Sequence, residues 1–392
     1  YDEEFGPLVD AVPQDVMRIL AWHDDEPAVP SLDSLIEQGS PATRRVPQRE
    51  SRSIILTSGT TGAPKGAPRG GTGGSFGAAV ALLSAMPLRH RWTCHIAAPL
   101  FHTWGWGHLQ LSLLLGSTLV LRRRFDPEDC LAVTQRYGCD SLVAIPVMLQ
   151  RILELPKEVL SAYTLDSVKV VAASGSALPG DLAQNWMDTF GDHLYNTYGS
   201  TECAWATIAN PVDLRLAPGT AGKPPMGTVV RLYDEHGSPV PTGASGRIFV
   251  SNSMLFEGYT GGGGTKDVLE GMMATGDVGR FDVAGRLFVE GRDDEMIVSG
   301  GENVYPSEVE DCIVRHPEVV EATAVGIADD QFGQRLRAFV VVRPQSVVTE
   351  DDLREHVKSN LARYKVPREI RFLDEMPRNA TGKVLKRDLD SG

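Results

Sequence analysis

Cysteine is sparse in this chain. Five thiols (Cys94, Cys130, Cys139, Cys203, Cys312) are scattered over 392 residues, no two of them at CxxC spacing and one left over from any pairing. That argues against a disulfide scaffold or a zinc ribbon and for reduced, mostly buried thiols. Cations are in deficit too: 38 Lys and Arg stand against 51 Asp and Glu, a formal charge of −13. This is the wrong sign for a protein that coats nucleic acid, although local basic groups can still hold phosphates. Unbroken apolar runs are missing. The stretch Ile96–Leu121 carries no charge apart from His102 and His108 and is long enough to span a bilayer. Pro99, the two histidines, Gly105, Gly107 and Gly116 interrupt it, so it reads as a buried helix and a buried strand and no transmembrane segment is expected. No repeat period is present. The polar, acidic start at Tyr1 lacks the features of a secretory leader, and the expected location is the cytoplasm.

What is present is an ordinary globular balance, 42% hydrophobic and 23% charged. At about 150 residues per domain, the length suggests two or three domains. After a Pro/Ser/Arg-rich connector around Arg44–Arg52, strand-like and helix-like segments alternate. Ser53–Thr57, Thr93–Ala98, Ser117–Leu121, Ser141–Ile145 and Val168–Ala173 read as strands; Ser75–Met86 and Trp104–Leu115 read as helices. A further helix is punctuated by Asp126 as cap, Pro127 at its first position, Glu128 and Asp129 at the positive end of the dipole, and Gly138 as stop. Pro146 and Pro179 open two more. Such alternation implies a mainly parallel, helix-covered sheet. After Asn210, short β runs (Val229–Tyr233, Gly246–Val250, Arg286–Glu290) suggest a small antiparallel subdomain, and Gly261–Gly264 a mobile loop. From Met296 onward, Pro306–Arg315 and Glu350–Leu361 read as helices and Val319–Ile327 with Arg335–Arg343 as paired strands. This is a compact α+β unit beyond a polar boundary at Gly291–Glu295. The expected fold is therefore α/β: a large domain (1–291) with a helix-covered, mainly parallel sheet plus a small β subdomain, a hinge (292–295), and a small α+β C-terminal domain (296–392).

The most informative stretch is Leu56-Thr57-Ser58-Gly59-Thr60-Thr61-Gly62-Ala63-Pro64-Lys65-Gly66. Its glycines let backbone N–H groups converge, Ser58, Thr60 and Thr61 add hydroxyls, and Lys65 adds a positive charge, the parts of a polyphosphate cradle. It lacks the Gly-Lys-Ser/Thr of a Walker loop, and by composition alone a solvated Gly/Thr linker is the better reading. The motifs downstream change that balance. They are Tyr198-Gly199-Ser200-Thr201-Glu202, Thr275-Gly276-Asp277, Gly291-Arg292-Asp293-Asp294 and Gly382-Lys383. In this order, from about Ser53 to Leu389, the chain resembles the adenylate-forming superfamily of acyl-CoA synthetases, luciferases and peptide-synthetase adenylation domains. Within it the chain looks most like a fatty acyl-CoA synthetase.

The resemblance implies ATP-dependent conversion of a carboxylic acid to an acyl-adenylate with release of pyrophosphate. Transfer to the thiol of CoA follows, with Mg²⁺ as cofactor; no nucleic-acid partner is implied. It places nucleotide binding on Thr57, Ser58, Gly59, Thr60, Thr61, Gly62, Lys65, Gly175, Ser176, Ala177, Tyr198, Asp277 and Arg292. Within that set, Tyr198 would stack on adenine, while Asp277 and its partner Arg292 would serve the ribose. Thr201 and Glu202 supply oxygens suited to Mg²⁺ held mainly by phosphates and water, with Glu202 as the metal ligand. Lys383 would steady the charge that develops at the α-phosphate. His102 matches a histidine near the acyl group and thiol path, Trp106 a gating tryptophan, and Asp294 the hinge acid about which the C-terminal domain turns. Each of these residues also has an ordinary alternative as core packing, cap or surface charge.

Only 56 residues precede Thr57, fewer than the family carries, so the large domain is expected to be incomplete at its start and to leave apolar surface uncovered. Gly258-Tyr259-Thr260-Gly261 and Met272-Met273 also depart from the family pattern. Two rivals to the fatty acyl reading follow: a truncated, catalytically weak nucleotide- or acyl-binding protein, and a ligase for an aryl or short-chain acid.

Overall fold

The structure is a computed structural model. It describes the whole chain except residues 1, 14, 24–26, 28, 40–52, 58–64, 70–72, 257, 260–265, 300–301, 330–332, 379–383 and 390–392. Residues 1–50 and 51–392 form two compact units. The first contains a 3-10 turn (Glu3–Phe5) and helices α1 (Gly6–Val9) and α2 (Leu32–Gln38). A reciprocal cap starts α2: Ser31 Oγ accepts from Ser34 N at 3.1 Å and Ser34 Oγ from Ser31 N at 3.2 Å.

The second unit opens with an antiparallel hairpin, β1 (Ser53–Thr57) and β2 (Lys65–Arg69), whose register sets Thr57 opposite Lys65. Helix α3 (Gly73–Ala85) follows. Next come β3 (Thr93–Ile96), α4 (Thr103–Leu114), β4 (Thr118–Leu121), α5 (Pro127–Arg136), β5 (Ser141–Ala144), α6 (Pro146–Leu153), α7 (Lys157–Leu160), β6 (Val170–Ala173), α8 (Gly180–Phe190), β7 (Leu194–Tyr198), β8 (Thr207–Ala209) and α9 (Pro211–Leu216). The strands form one sheet in the order β4-β3-β5-β6-β7-β8, parallel throughout except for the β7–β8 pair. β5 and β6 are buried at every position, as strands covered by helices on both faces must be. Leu142, Val143, Leu149, Ile152, Val171, Trp186 and Met187 centre this core. The expected long apolar stretch resolves into β3, α4 and β4, and among the described residues no helix is long and apolar enough to cross a membrane. Leu113 and Leu114 at the end of α4 and Leu121 on the edge strand β4 are exposed.

The helix starts follow their sequence signals. Asp126 accepts from Asp129 N at 2.8 Å and Pro127 opens α5, and Asn210 caps α9 at 2.9 Å. Gly138, at φ +54°, turns the chain after α5 in a conformation that only glycine adopts without strain.

A second sheet is antiparallel: β9 (Val229–Tyr233), β10 (Gly246–Ser251), β11 (Val268–Leu269), β12 (Met272–Phe281) and β13 (Leu287–Arg292) in the order β11-β12-β10-β9, with β13 on β12. It has its own core around Leu232, Ile248, Val250 and Met273. The sequence reading left out β12, its longest strand, because Gly276 and Gly279 make Met272–Phe281 resemble a turn; the glycines mark a register shift beside Val278. It left out β2 for the same kind of reason: Lys-Gly-Ala-Pro-Arg breaks strand propensity.

The last sheet holds β14 (Ile297–Ser299), β15 (Glu302–Val304), β16 (Val319–Asp329), β17 (Gly333–Val342) and β18 (Glu369–Phe372), covered by α10 (Pro306–Val314) and α11 (Glu350–Asn360), with α12 (Lys386–Leu389) near the end. Among the described residues its core, including Val309, Ile313, Ala338, Val340, Leu353 and Val357, draws on none before Ile297. The architecture is thus the α/β arrangement read from the sequence.

Candidate functional site

In the parallel sheet the order reverses between β3 and β5, since β4 lies outside β3 while β5 and β6 continue on the other side. Ligands in open α/β sheets bind beyond the carboxyl ends of the strands at such a point. A narrow pocket lies there, lined by Ala98, Pro99, His102, Trp104, Gly105, Ile145 and Gly175. The segment after β3 is held to β5 by Ala97 and Ala98 N–H groups, both donating to Val143 O at 2.9 and 3.0 Å. His102 is the N-cap residue of α4 in extended geometry, and burial lowers its pKa, leaving a neutral imidazole at neutral pH. Trp104 donates its indole N–H to Ala144 O at 3.1 Å, which fixes the ring at the end of β5. Gly105 is required because a Cβ there would come within 2.4 Å of Pro99 O and 2.8 Å of Ala98 O. Gly175, at φ +101°, turns the chain away from β6, and Ser176 and Ala177 stand exposed beyond it. Trp106 is half-buried on the same helix but is not among the lining residues; the aromatic wall is Trp104.

A second group lies where β7 meets the antiparallel sheet. The β12–β13 register places Asp277 opposite Arg292, with Nη1 to Oδ1 at 3.5 Å. Tyr198, the last residue of β7, donates its hydroxyl to Asp277 Oδ2 at 2.5 Å and is 3.2 Å from Thr275 Oγ1. Thr275 Oγ1 also accepts from Asp277 N at 3.1 Å and donates to Ile248 O at 3.2 Å. The Arg292 guanidinium lies over Gly276, 3.2 Å from where a Cβ would sit, and it forks onto Asp294 at 3.0 and 3.2 Å. Burial raises the pKa of Asp277 despite the opposing pull of the Tyr198 hydroxyl and Arg292. Burial, then the Asp277 charge, drives Tyr198 upward as well.

Between the two groups runs the loop after β7. Its backbone doubles back so tightly that a Cβ on Gly199 would meet Ala204 O at 2.3 Å. Ser200 Oγ accepts from Glu202 N at 3.2 Å. Glu202 is buried, and Tyr259 donates to its Oε1 at 2.6 Å. Burial pushes the Glu202 pKa up, but the hydrogen bonds of Tyr259, Ser200 and its own N–H, with Lys266 nearby, outweigh it. The net shift is downward, so the carboxylate is ionised at neutral pH. Thr201 Oγ1 lies 3.1 Å from Thr103 Oγ1 at the start of α4, joining this loop to the pocket wall.

A family model described as "AMP-binding enzyme" matches residues 8–260, and one described as "AMP-binding enzyme C-terminal domain" matches residues 308–383. This chain belongs to the AMP-binding enzymes, in the adenylate-forming superfamily. It is 35% identical over 345 residues to the 2-succinylbenzoate–CoA ligase of Bacillus thuringiensis, covering 87% of this chain and 70% of that one. It is 34% identical to the feruloyl-CoA synthase of an Amycolatopsis species over 337 residues, 85% of this chain and 68% of that one. The solved o-succinylbenzoate CoA synthetase of Bacillus subtilis with its acyl-adenylate intermediate superposes with a TM-score of 0.82 at 28% identity, covering 95% of this chain and 78% of that one.

In this AMP-binding enzyme the structure brings together Tyr198, Asp277, Arg292 and Asp294 in one cluster, Thr201 and Glu202 in the adjoining loop, and His102 and Gly175 in the pocket. Of the residues expected to hold phosphate, Thr57 and Lys65 are described only as backbone at the mouth of the β1–β2 hairpin. Ser58, Gly59, Thr60, Thr61 and Gly62 lie outside the described residues, as do Lys383 and the glycine run Gly261–Gly264. Sequence reasoning missed Trp104, Tyr259 and Asn196. Asn196 shares a face of β7 with Tyr198, and its Oδ1 is buried without a partner, an acceptor fit for an amino group. Among the described residues no three His, Cys, Asp or Glu side chains cluster as a metal site. An ionised Glu202 beside the Thr201 hydroxyl fits a magnesium ion that takes its remaining ligands from phosphate and water.

Proposed function

We propose that this chain is an AMP-forming acid–CoA ligase acting on a compact aryl acid. The observation that carries the reading is the pair of adjoining sites. One is a pocket at the switch point of the parallel sheet. The other is a carboxylate–guanidinium–phenol cluster with the chemistry of a ribose site, joined to the pocket through the Thr103–Thr201 contact.

Asp277 would accept from the ribose hydroxyls, Arg292 would hold Asp277 in place, Tyr198 would present its ring to adenine, and Asn196 Oδ1 would take the 6-amino group. The residues of the β1–β2 loop, with Lys65, would hold the polyphosphate. Glu202 and Thr201 would hold Mg²⁺, which when bound neutralises phosphate charge. A carboxylate oxygen of the acid attacks the α-phosphorus, the bond to the β-phosphate oxygen breaks, and pyrophosphate leaves. Lys383 would stabilise the charge that builds at the α-phosphate. The CoA thiol then attacks the acyl carbon and AMP departs. His102, neutral and half-buried at the pocket's edge, is placed to hydrogen-bond the acyl group during both steps. We further propose residues 1–291 and 296–392 as the two domains and 292–295 as the hinge between them.

The relatives named above act on succinylbenzoate and ferulate, and the pocket is walled by an indole fixed at Ala144 O; both favour an aryl acid over the fatty chain first expected. Pyrophosphate release from ATP decides the matter, measured with benzoic, phenylpropenoic, short dicarboxylic and C8–C16 fatty acids, with and without CoA. The aryl acids should give the highest kcat/KM. Trp104→Ala should lower kcat/KM for benzoate and raise it about 10-fold for acids too long for the wild-type pocket. Preference for the fatty acids would restore the fatty acyl reading, and no release with any acid would leave only a nucleotide-binding protein.

A further inference from the structure

Among the described residues five buried side-chain atoms lack a hydrogen-bond partner: His108 Nε2, Trp186 Nε1, His193 Nδ1, Asn196 Oδ1 and Thr197 Oγ1. Native proteins leave few such atoms, and each needs an explanation. Asn196 and Thr197 adjoin the nucleotide cluster on β7. His193 spends its other nitrogen on Phe190 O at 2.7 Å, and Trp186 is packed in the core of α8. His108 is different. It is 2% exposed, it sits on α4 behind the pocket wall rather than among the lining residues, and nothing in the nucleotide chemistry accounts for it.

Its position is informative. Trp104 and His108 are four residues apart on one helix face, and their rings meet edge to face, centroids 4.4 Å apart at 73°. Trp104 is a wall of the acid pocket and is fixed by its bond to Ala144 O. The reacting end of the acid belongs at the start of α4, where Thr103 touches the Thr201–Glu202 loop. His108 is one turn further along the same face, about 6 Å past Trp104. A ring lying against the indole would carry its far substituent toward that turn. Burial pulls the His108 pKa down to about 4, so the ring is neutral at pH 7, one nitrogen a donor and the other an acceptor.

We propose that His108 is a specificity residue: its Nε2 hydrogen-bonds a hydroxyl or similar polar substituent on the ring of the acid, at the end away from the carboxylate. The inference rests on the acid–CoA ligase reading and narrows it, from aryl acids in general to ring-substituted polar ones.

The test is a ratio. In pyrophosphate release, wild type should favour the better of 3- and 4-hydroxybenzoate over benzoate, or the corresponding hydroxyphenylpropenoates over the bare acid, by at least about 10-fold in kcat/KM. His108→Phe should bring that ratio to about 1 without lowering the melting temperature, since it removes a polar atom that has no partner. His108→Gln, which keeps a hydrogen-bonding group, should retain most of the preference. Should His108→Phe not fold, the wild type alone still decides. A hydrolysis-resistant adenylate analogue of the favoured hydroxy acid should raise its melting temperature more than the analogue of the bare acid. Equal shifts, no preference in wild type, or a preference that survives His108→Phe would each overturn the proposal while leaving the ligase reading intact. Absence of release with every acid would overturn both.

Discussion

Asp277 shows how a single side chain ties ligand binding to pH. Burial holds its carboxyl above the ordinary value, against the Tyr198 hydroxyl and Arg292. The folded chain therefore keeps a proton that the unfolded chain has already released. The stability this confers is fully present below the unfolded pKa and is lost as pH rises through the raised one. Under the proposed function binding would run the other way, because ribose hydroxyls would donate to the ionised form. AMP affinity measured by titration calorimetry should fall on acidification while the pH is still above the usual carboxylate range. Asp277→Asn should weaken AMP by about 10- to 100-fold, the worth of hydrogen bonds to a charged group, without a lower melting temperature at pH 7. Tyr198, Asp277 and Arg292 were readable as candidates because each lies in a short motif with distinctive neighbours. Trp104, His108 and Asn196 were not. Their signal is burial and the lack or choice of a partner, which no local pattern encodes, and Trp106 has the same composition as Trp104 two residues away.

Helix α4 and the segment before it make the pocket one rigid element. The helix starts directly over the carbonyls that follow β3, an approach that Gly105 alone permits. Gly105→Ala would push a methyl into backbone oxygens that cannot rotate away. It should cost about 1–3 kcal/mol in urea unfolding and weaken the acid far more than AMP, whose proposed contacts come from β7, β12 and β13. Elements such as α5 were legible because cap, proline and terminal glycine coincide with the apolar period. Strands β2, β8 and β12 escaped for lack of that agreement. β12 in particular bends at its glycines, and its strand character comes from pairing with β10 and β13 rather than from its own propensity.

Across the molecule, the C-terminal sheet keeps a core of its own and meets the parallel-sheet region through light polar contacts. Gln150 Nε2 donates to Val320 O at 3.3 Å, and Arg315 lies 3.8 Å from Asp181 with both side chains largely exposed. Pairs of that kind contribute little, so reorientation about the 3-10 turn Asp293–Glu295 meets only a low barrier from these contacts. Asp294→Pro, which removes a backbone donor and fixes φ in that turn, should slow transfer of the acyl group to CoA at least about 10-fold more than pyrophosphate release. Rapid-quench measurement of the two half-reactions checks this, and equal slowing of both would count against a hinge there. The run of charges at Arg292–Glu295 is what suggests a boundary there, whereas the two compact units of the structure part between residues 50 and 51. The hydroxyl pair Thr103–Thr201 is a mechanical link between the two proposed substrate sites, and thermodynamic linkage is symmetric. Whatever factor a seated acid adds to the enzyme's grip on nucleotide, the nucleotide must return to the acid, and Thr103→Val should cut both by the same amount.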